Sequence, residues 1–408
     1  MKMPDWNHPL SSLPETCEVL VVGAGPAGSA CAQQLAAAGR DVVLVDAQAF
    51  PRDKVCGDGL VPDTHAALRR LGVHDRVMAL ARPAAAARCV APSGRHIDVA
   101  GELAVLPRRE LDALLCTAAV EAGARMVAPA KFLLARRDAN GRVVGAQLSH
   151  GGQTRDVECR WLVLATGATP SALLAANLCE RRTPSAMALR AYVRHPGMAA
   201  ELGNPRFVWH RQLRSGYGWI FPGPDDTYNI GVGLLDSHTD ENQSRNLRAV
   251  FNDYLAIDPL AARLMQEGES LGELKGAPLR CDLDGARWCE PGVLVTGEAA
   301  GATYAFTGEG IGKALETGMA ASAALQTSPA EDAQVLQAYR RSLDALRPRF
   351  EMYRKAATVN RYPALVSLVV WRARHSPRIA QRLSDILNER RMPGNLLSWR
   401  GLRGIIFG

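Results

Sequence analysis

The first ordered pattern along the chain is an apolar run, Val19 to Val22, that breaks into Gly23-Ala24-Gly25-Pro26-Ala27-Gly28. Small residues follow to Gly39, and a second apolar run, Val42 to Val45, ends in Asp46. Short apolar runs bounded by turn residues read as buried strands, and the small-residue stretch between them reads as a close-packed helix. The pattern predicts a strand, a tight turn, a helix and a parallel strand. Gly23 permits the turn, Gly25 lets backbone approach a pyrophosphate, and Gly28 lets the helix pack on the sheet, so phosphate charge can sit at the helix N-terminus. Asp46 stands where a ribose hydroxyl needs an acceptor. Gly23, Ala24, Gly25, Ala27, Gly28 and Asp46 are therefore candidate dinucleotide contacts.

Further along, residues 49–62 carry too many Gly and Pro for a helix and read as an ordered loop. A helix is expected over Thr64 to Leu80, strand alternation over Ala84 to Val99 with a turn at Pro92-Ser93-Gly94, and a helix from Leu106-Pro107-Arg108 to Ala122. Asn140-Gly141 marks a hairpin. Trp161 to Ala165 and Arg287 to Thr296 read as strands, and Ala186 to Leu235 as the sheet of a second domain. The chain from Gly308 reads as a loop opening a small-residue helix, and the part from Glu331 as helical.

At 408 residues the chain can bury a large core in two interleaved domains. Its formal charge is +7, but residues 340–408 alone hold fifteen Lys and Arg against four Asp and Glu, so the body is mildly acidic and the tail basic. Nine cysteines occur without a CxxC pair or zinc-ligand spacing, which points to a reducing compartment and to no structural metal. With no apolar core of signal-peptide length and no run approaching about 18 apolar residues, a cytoplasmic protein is expected. The tail allows peripheral contact with the inner face of a membrane.

Four separated pieces point one way: the opening glycine-rich unit; Phe50-Pro51-Arg52-Asp53-Lys54-Val55-Cys56-Gly57-Asp58-Gly59; Gly216-Tyr217-Gly218-Trp219-Ile220-Phe221-Pro222 with Asn229-Ile230-Gly231-Val232-Gly233; and Gly297-Glu298-Ala299-Ala300-Gly301 leading to Thr307-Gly308-Glu309-Gly310-Ile311. In this order, over roughly residues 17 to 325, they resemble the geranylgeranyl reductase family of FAD-dependent oxidoreductases, which shares the para-hydroxybenzoate hydroxylase fold. The resemblance implies an α/β protein with a Rossmann-like FAD-binding domain over 1–80, 100–180 and 282–330. It further implies an interleaved mixed-sheet substrate domain over 81–99 and 181–281, and a basic helical region over 331–408.

The same resemblance implies FAD contacts by Lys54, Val55, Cys56, Gly57, Arg108, Glu298, Gly310 and Ile311. A helix opening at Gly308 would aim N–H groups and a positive dipole end at the flavin. Arg109 is an equally good cation, so the choice of Arg108 rests on the pattern alone. Tyr217, Trp219 and Phe221 alternate on one strand and share a face. That face either lines an apolar substrate cavity or forms a core stripe. Tyr217 and Trp219, with Cys56, are the candidate catalytic side chains. The Cys56 thiol either protonates a carbon beside the flavin or packs as a small apolar residue under it, and Lys54 either lowers the thiol pKa or anchors the loop by an ion pair.

In the tail, Pro363 to Trp371 precedes Arg372, Arg374, Arg378, Arg382, Arg390, Arg391, Arg400 and Arg403. Basic amphipathic helices over 361–403 either lie in a membrane interface or cap the cavity with a solvated arginine face. No nucleic-acid recognition fold accompanies the charge.

Three departures from the family pattern occur: Glu298 replaces the usual Asp, Ala305 replaces Pro, and Ala165-Thr166-Gly167 lacks the Asp-Gly that hydroxylase relatives use for nicotinamide handling. The expected activity is reduction of C=C bonds in an isoprenoid or other lipid-like substrate. NAD(P)H or another reductant, such as an external donor, would supply the electrons. A monooxygenase or halogenase acting on an aromatic or lipid metabolite is the alternative, followed by a desaturating dehydrogenase and a flavin-binding module without turnover.

Overall fold

The computed structural model of the chain describes residues 6–180, 183–235, 245–327 and 331–393; Arg400 and Arg403 lie outside them. The opening unit folds as the sequence pattern predicts. Strand Thr16–Val22 leads into helix Pro26–Ala37, which returns the chain to strand Val42–Val45, parallel to the first with Val19 opposite Val42. Gly23 turns the chain at φ +104°, and a Cβ there would lie 2.3 Å from the Ala165 carbonyl oxygen. A Cβ on Gly28 would lie 1.8 Å from the Gly23 oxygen, so only glycine lets the helix start this close to the strand.

Five parallel strands form the centre of this sheet, in the order Val293–Val295, Gln153–Leu164, Thr16–Val22, Val42–Val45, Arg125–Val127. Period-two alternation divides the core. Val19, Val21, Val42 and Leu44 face one layer with the helices Pro26–Ala37 and Arg108–Glu121. Leu20, Val22, Val43 and Val45 face the other, with Phe132, Leu148 and Val157 of an antiparallel meander whose hairpin turns at Asn140-Gly141. Strand Gln153–Leu164 serves both: its first half pairs with the meander and its second half continues the parallel sheet.

The second sheet contains Arg82–Val90, His96–Val105, Ala186–Arg194, Arg206–Val208, Gly216–Pro222 and Thr227–Leu234, with the two-residue strand Gly59–Leu60 at one edge. Its outer face, carrying Ile220, Ile230 and Val232, is covered by helices Leu247–Ile257 and Pro259–Glu267. Its inner face carries Tyr217, Trp219 and Phe221 toward the first domain.

Several boundaries differ from expectation. The helix expected over Thr64 to Leu80 is two helices, Pro62–Arg70 and His74–Met78, because Gly72 turns the chain at φ +70°. Strand His96–Val105 runs past residue 99, so the division at 99/100 falls inside one strand of the second sheet. Arg287 to Thr296 holds two short strands, Cys289–Glu290 and Val293–Val295, folded on each other at Gly292. The small-residue helix begins at Ile311, and Gly308, at φ +71°, belongs to the turn before it.

The tail is helical as expected, through Asp332–Ala356, Thr358–Arg361, Pro363–His375 and Pro377–Leu387. It packs back on the body. The Ser384 hydroxyl donates to the Ala100 carbonyl at 2.7 Å, and Glu389 accepts from Arg349 at 2.7 Å and pairs with the buried Lys313 at 3.3 Å. Among the described residues no helix is long and apolar enough to cross a membrane.

Candidate active site

A cavity of about 820 Å³ runs between the two sheets. Gly23, Gly25, Ala27 and Asp46 line one part of it, the Lys54–Gly59 loop and Arg108 another, and Tyr217, Trp219, Phe221, Glu298, Gly310 and Ile311 the rest. Ala24 and Gly28 do not line it. The Ala24 N–H instead donates to Asp46 at 3.0 Å, and Gly28 sets the helix-to-strand packing.

Beside Gly25 the structure places two cations. The guanidinium groups of Arg108 and Arg52 stand 3.6 and 3.7 Å from where a Cβ on Gly25 would be. Both are held by Asp112, which is fully buried: Arg108 donates twice, at 2.7 and 2.8 Å, and Arg52 once, at 3.0 Å. Arg108 opens its helix and reaches Asp112 one turn on, while Arg109 points to solvent. Helical geometry thus distinguishes two arginines that residue chemistry alone did not, and agrees with the pattern's choice of Arg108. Arg52 also donates to both oxygens of Asp46, at 3.2 and 3.1 Å, and Asp46 accepts in addition from the N–H groups of Ala24 and Gln48. These four bonds fill the acceptor positions of a carboxylate, so a ribose hydroxyl at Asp46 must displace one of them. Arg52 is the partner with a long side chain able to turn away.

The Cys56 loop is tied to the second sheet by two residues the sequence reading did not single out, Asp58 and Asn229. The Asn229 amide donates to the Cys56 carbonyl and to Asp58, each at 2.7 Å, and its oxygen accepts from the Trp219 indole at 2.9 Å. Asp58, at φ +65° and fully buried, also accepts from the Tyr192 hydroxyl and from the Arg108 N–H at 3.3 Å. Burial pushes its carboxyl up to about 6 against the pull of Tyr192, Asn229 and the nearby arginines. The available signal was one amide in the otherwise apolar strand Asn229 to Leu235. Replacing Asn229 by leucine is expected to cost about 1–3 kcal/mol, because Trp219, the loop carbonyl and Asp58 each lose a buried partner. A lowered denaturant midpoint with an unchanged slope checks it.

Burial, with Asp58 adding to it, raises the Cys56 thiol above its ordinary value, and Arg108 and Lys54 only partly oppose this. Lys54 therefore does not produce a thiolate, and the ion pairs that hold the loop to the second sheet are those of Asp53 with Arg190 and with Lys275 at 2.9 Å. Tyr217 and Trp219 have their polar atoms engaged, the phenol with the Thr307 carbonyl and the indole with Asn229. They present ring surface to the cavity, and a proton-donating role for either is not what the geometry offers. Phe207 and Trp209 extend the aromatic face, with Phe207 edge-on to Phe221 at 5.0 Å.

Across the cavity, Gly310 and Ile311 stand at the start of helix Ile311–Thr327, where N–H groups have no partner within the helix. Glu309 beside them was also missed. Burial, reinforced by Asp63 and Glu389 and opposed by Lys313, pushes its carboxyl up to about 8, so it is mostly protonated at neutral pH. The tail reaches this wall too, since Leu387 lines the cavity and packs on Gly101.

These features define a flavoprotein oxidoreductase of the para-hydroxybenzoate hydroxylase fold, and residues 16–182 match the family model described as an FAD binding domain. The chain belongs to the geranylgeranyl reductase family of FAD-dependent oxidoreductases. It is 34% identical over 328 residues to a menaquinone reductase of Mycolicibacterium smegmatis, covering 76% of each chain. It is 30% identical over 356 residues to digeranylgeranylglycerophospholipid reductase 1 of Methanopyrus kandleri, covering 83% of this chain and 89% of the relative. A geranylgeranyl bacteriochlorophyll reductase-like structure from Thermoplasma acidophilum superposes with a TM-score of 0.71 at 22% identity over 96% of both chains. A flavin-dependent brominase superposes with 0.75 at 19% identity, over 96% of this chain and 97% of that one, a likeness of fold alone.

Proposed function

We propose that the protein reduces C=C bonds in the isoprenoid portion of a lipid-like substrate, a prenylated quinone or a related polyprenyl lipid. The observation that carries this reading is the aromatic wall Tyr217–Trp219–Phe221 with its polar atoms satisfied elsewhere. Such a wall can hold an extended hydrocarbon by contact alone. The names of the relatives, one a quinone reductase and one an isoprenoid-lipid reductase, support the substrate class.

FAD fits the residues present. The Gly25 turn offers close backbone approach between two guanidinium groups suited to a pyrophosphate, and Asp46 terminates the second strand where the ribose acceptor belongs. In this reading Gly23, Gly25, Ala27, Asp46, Arg52 and Arg108 hold the dinucleotide. The Lys54–Gly57 loop, Glu298, Gly310 and Ile311 hold the ring end. When bound, the reduced flavin supplies a hydride to one alkene carbon.

The other carbon must take a proton, and the cavity offers Glu309 and Cys56 as side-chain donors beside water. Glu309 suits that task better than Cys56, because a donor with a pKa near the working pH transfers its proton most effectively, whereas the thiol is raised away from it. Cys56 then packs against the ring, and the aromatic wall excludes water. Lys54, Lys131 and Lys275 line the cavity and suit an anionic reductant such as NAD(P)H, with an external donor protein as the other source.

Docking of the tail through Leu387, Ser384 and Glu389 supports a capping role for it. Tyr362 and Trp371, 49% and 42% exposed among arginines, support peripheral contact with an anionic membrane from the cytoplasmic side. Incubating the holoprotein with reductant and a polyprenyl quinone or geranylgeranyl lipid is expected to give a product heavier by pairs of hydrogen atoms on mass spectrometry. Recovery of oxygenated or halogenated product instead would overturn the reading.

A further inference from the structure

Outside the cavity, three side chains from separate elements converge. His65 lies on helix Pro62–Arg70, His74 opens the next helix, and Glu102 lies on strand His96–Val105. Their donor atoms stand close together: His65 Nδ1 is 3.1 Å from His74 Nε2, and a Glu102 oxygen is 3.8 Å from the first and 3.9 Å from the second. We propose that His65, His74 and Glu102 bind a divalent transition-metal ion of zinc's class. Two imidazole nitrogens and one carboxylate oxygen are the donors such ions prefer, whereas Mg²⁺ and Ca²⁺ take oxygen shells.

The spacing carries the argument. Bonds of about 2.0–2.1 Å in tetrahedral geometry place ligand atoms about 3.3–3.4 Å apart. The three separations here straddle that value, and the carboxylate that must close in by about half an ångström belongs to Glu102, whose side chain is 48% exposed and paired with the equally exposed Arg69. His65 is fully buried, so one ligand is fixed by packing.

Support for the second ligand comes from outside the triangle. His74 Nδ1 lies 3.2 Å from an Asp75 oxygen. A carboxylate at the far nitrogen of a ligating imidazole fixes its tautomer and leaves Nε2 with a lone pair facing His65. Arg69 pairs with the same Glu102 oxygen that faces the two rings, so an ion bound there must share that oxygen with Arg69 or displace it to the other carboxylate oxygen. The bland alternative is a single proton shared between the two rings. It accounts for the 3.1 Å separation and is served by Asp75 as well, but it gives no role to the Glu102 oxygen that faces both rings.

None of the three residues lines the cavity, so the ion would be a clip and would leave the fourth coordination position to water. It would fasten the two-helix segment after the Cys56 loop to the edge of the second sheet. The donors reach one point from two helices and a strand, which is why no zinc-type spacing occurs in the sequence.

The test uses the full-length holoprotein stripped with a chelator, titrated with Zn²⁺ by calorimetry and with Co²⁺ by visible absorption. One saturable ion per chain, with the bands of tetrahedral Co²⁺, is expected, together with a raised melting temperature on adding Zn²⁺. His74→Ala and Glu102→Gln should each weaken binding by at least about tenfold and abolish the thermal shift. The absence of saturable binding, or binding that neither substitution weakens, would overturn the proposal, and a melting temperature indifferent to Zn²⁺ would do so equally. Flavin content and alkene reduction play no part in these readouts.

Discussion

Asp112→Ala is expected to destabilise the protein by about 3–5 kcal/mol, the largest stability effect of any single carboxylate near the cofactor cavity. The reason is the arrangement around it: Asp112 is fully buried and accepts three hydrogen bonds from Arg108 and Arg52. Arg108 is itself largely buried, and among the described residues no other carboxylate is hydrogen-bonded to its guanidinium, so removing Asp112 leaves a desolvated cation. Arg52 would retain Asp46. Asp112→Asn keeps the shape and one acceptor and should fall between the two. Equilibrium denaturation of the three proteins in parallel checks the order, and equal midpoints would mean that the buried arginines do not depend on this residue. Loss of bound flavin should follow the same order, since Asp112 aims both guanidinium groups at the Gly25 turn.

Glu309→Gln is expected to lower alkene reduction by about 10²–10⁴-fold, the range for loss of a positioned proton donor. It should also remove a pH dependence that the wild type shows. In the folded protein Glu309 holds its proton up to about 8, against an ordinary value of 4.5. Between those values the folded state binds a proton that the unfolded chain has released. The group's contribution to stability is therefore complete below the unfolded value and is lost as pH rises through about 8. Asp63 and Glu389 face Glu309 with like charge and Lys313 with opposite charge, and ionised Glu309 adds to the repulsion. Wild-type melting temperature and reduction rate should both fall across that limb, while Glu309→Gln lacks the fall in melting temperature. A Cys56→Ala variant that loses as much activity while Glu309→Gln retains it would move the proton to the thiol.

The features legible in the sequence are those whose partners are close in the chain. The Gly23 to Gly28 turn depends on a strand and helix contiguous with it, and Asp46 follows the next strand directly, so spacing alone defined the unit. Tyr217, Trp219 and Phe221 were legible as one face because a strand has period two. Asn229, Asp58 and Glu309 were not, since their surroundings come from distant segments. Asn229 meets the Cys56 carbonyl across a separation of 173 residues, and the acids around Glu309 come from residue 63 and from the tail. The pairing of Arg206–Val208 with Arg82–Val90 is a parallel contact between remote strands that no local pattern announces. Gly72, by contrast, was a visible break inside the expected helix, and its positive φ splits it.

The central claim is that reduced flavin in this cavity passes its electrons to an alkene. Photoreduced holoprotein mixed anaerobically with a polyprenyl quinone or geranylgeranyl lipid should regain the oxidised flavin absorbance in a single turnover, at a rate that rises with substrate and reaches saturation, and the lipid should gain two hydrogen atoms. Flavin that stays reduced with every such lipid, and reoxidises only when oxygen is admitted together with formation of an oxygenated product, would contradict it.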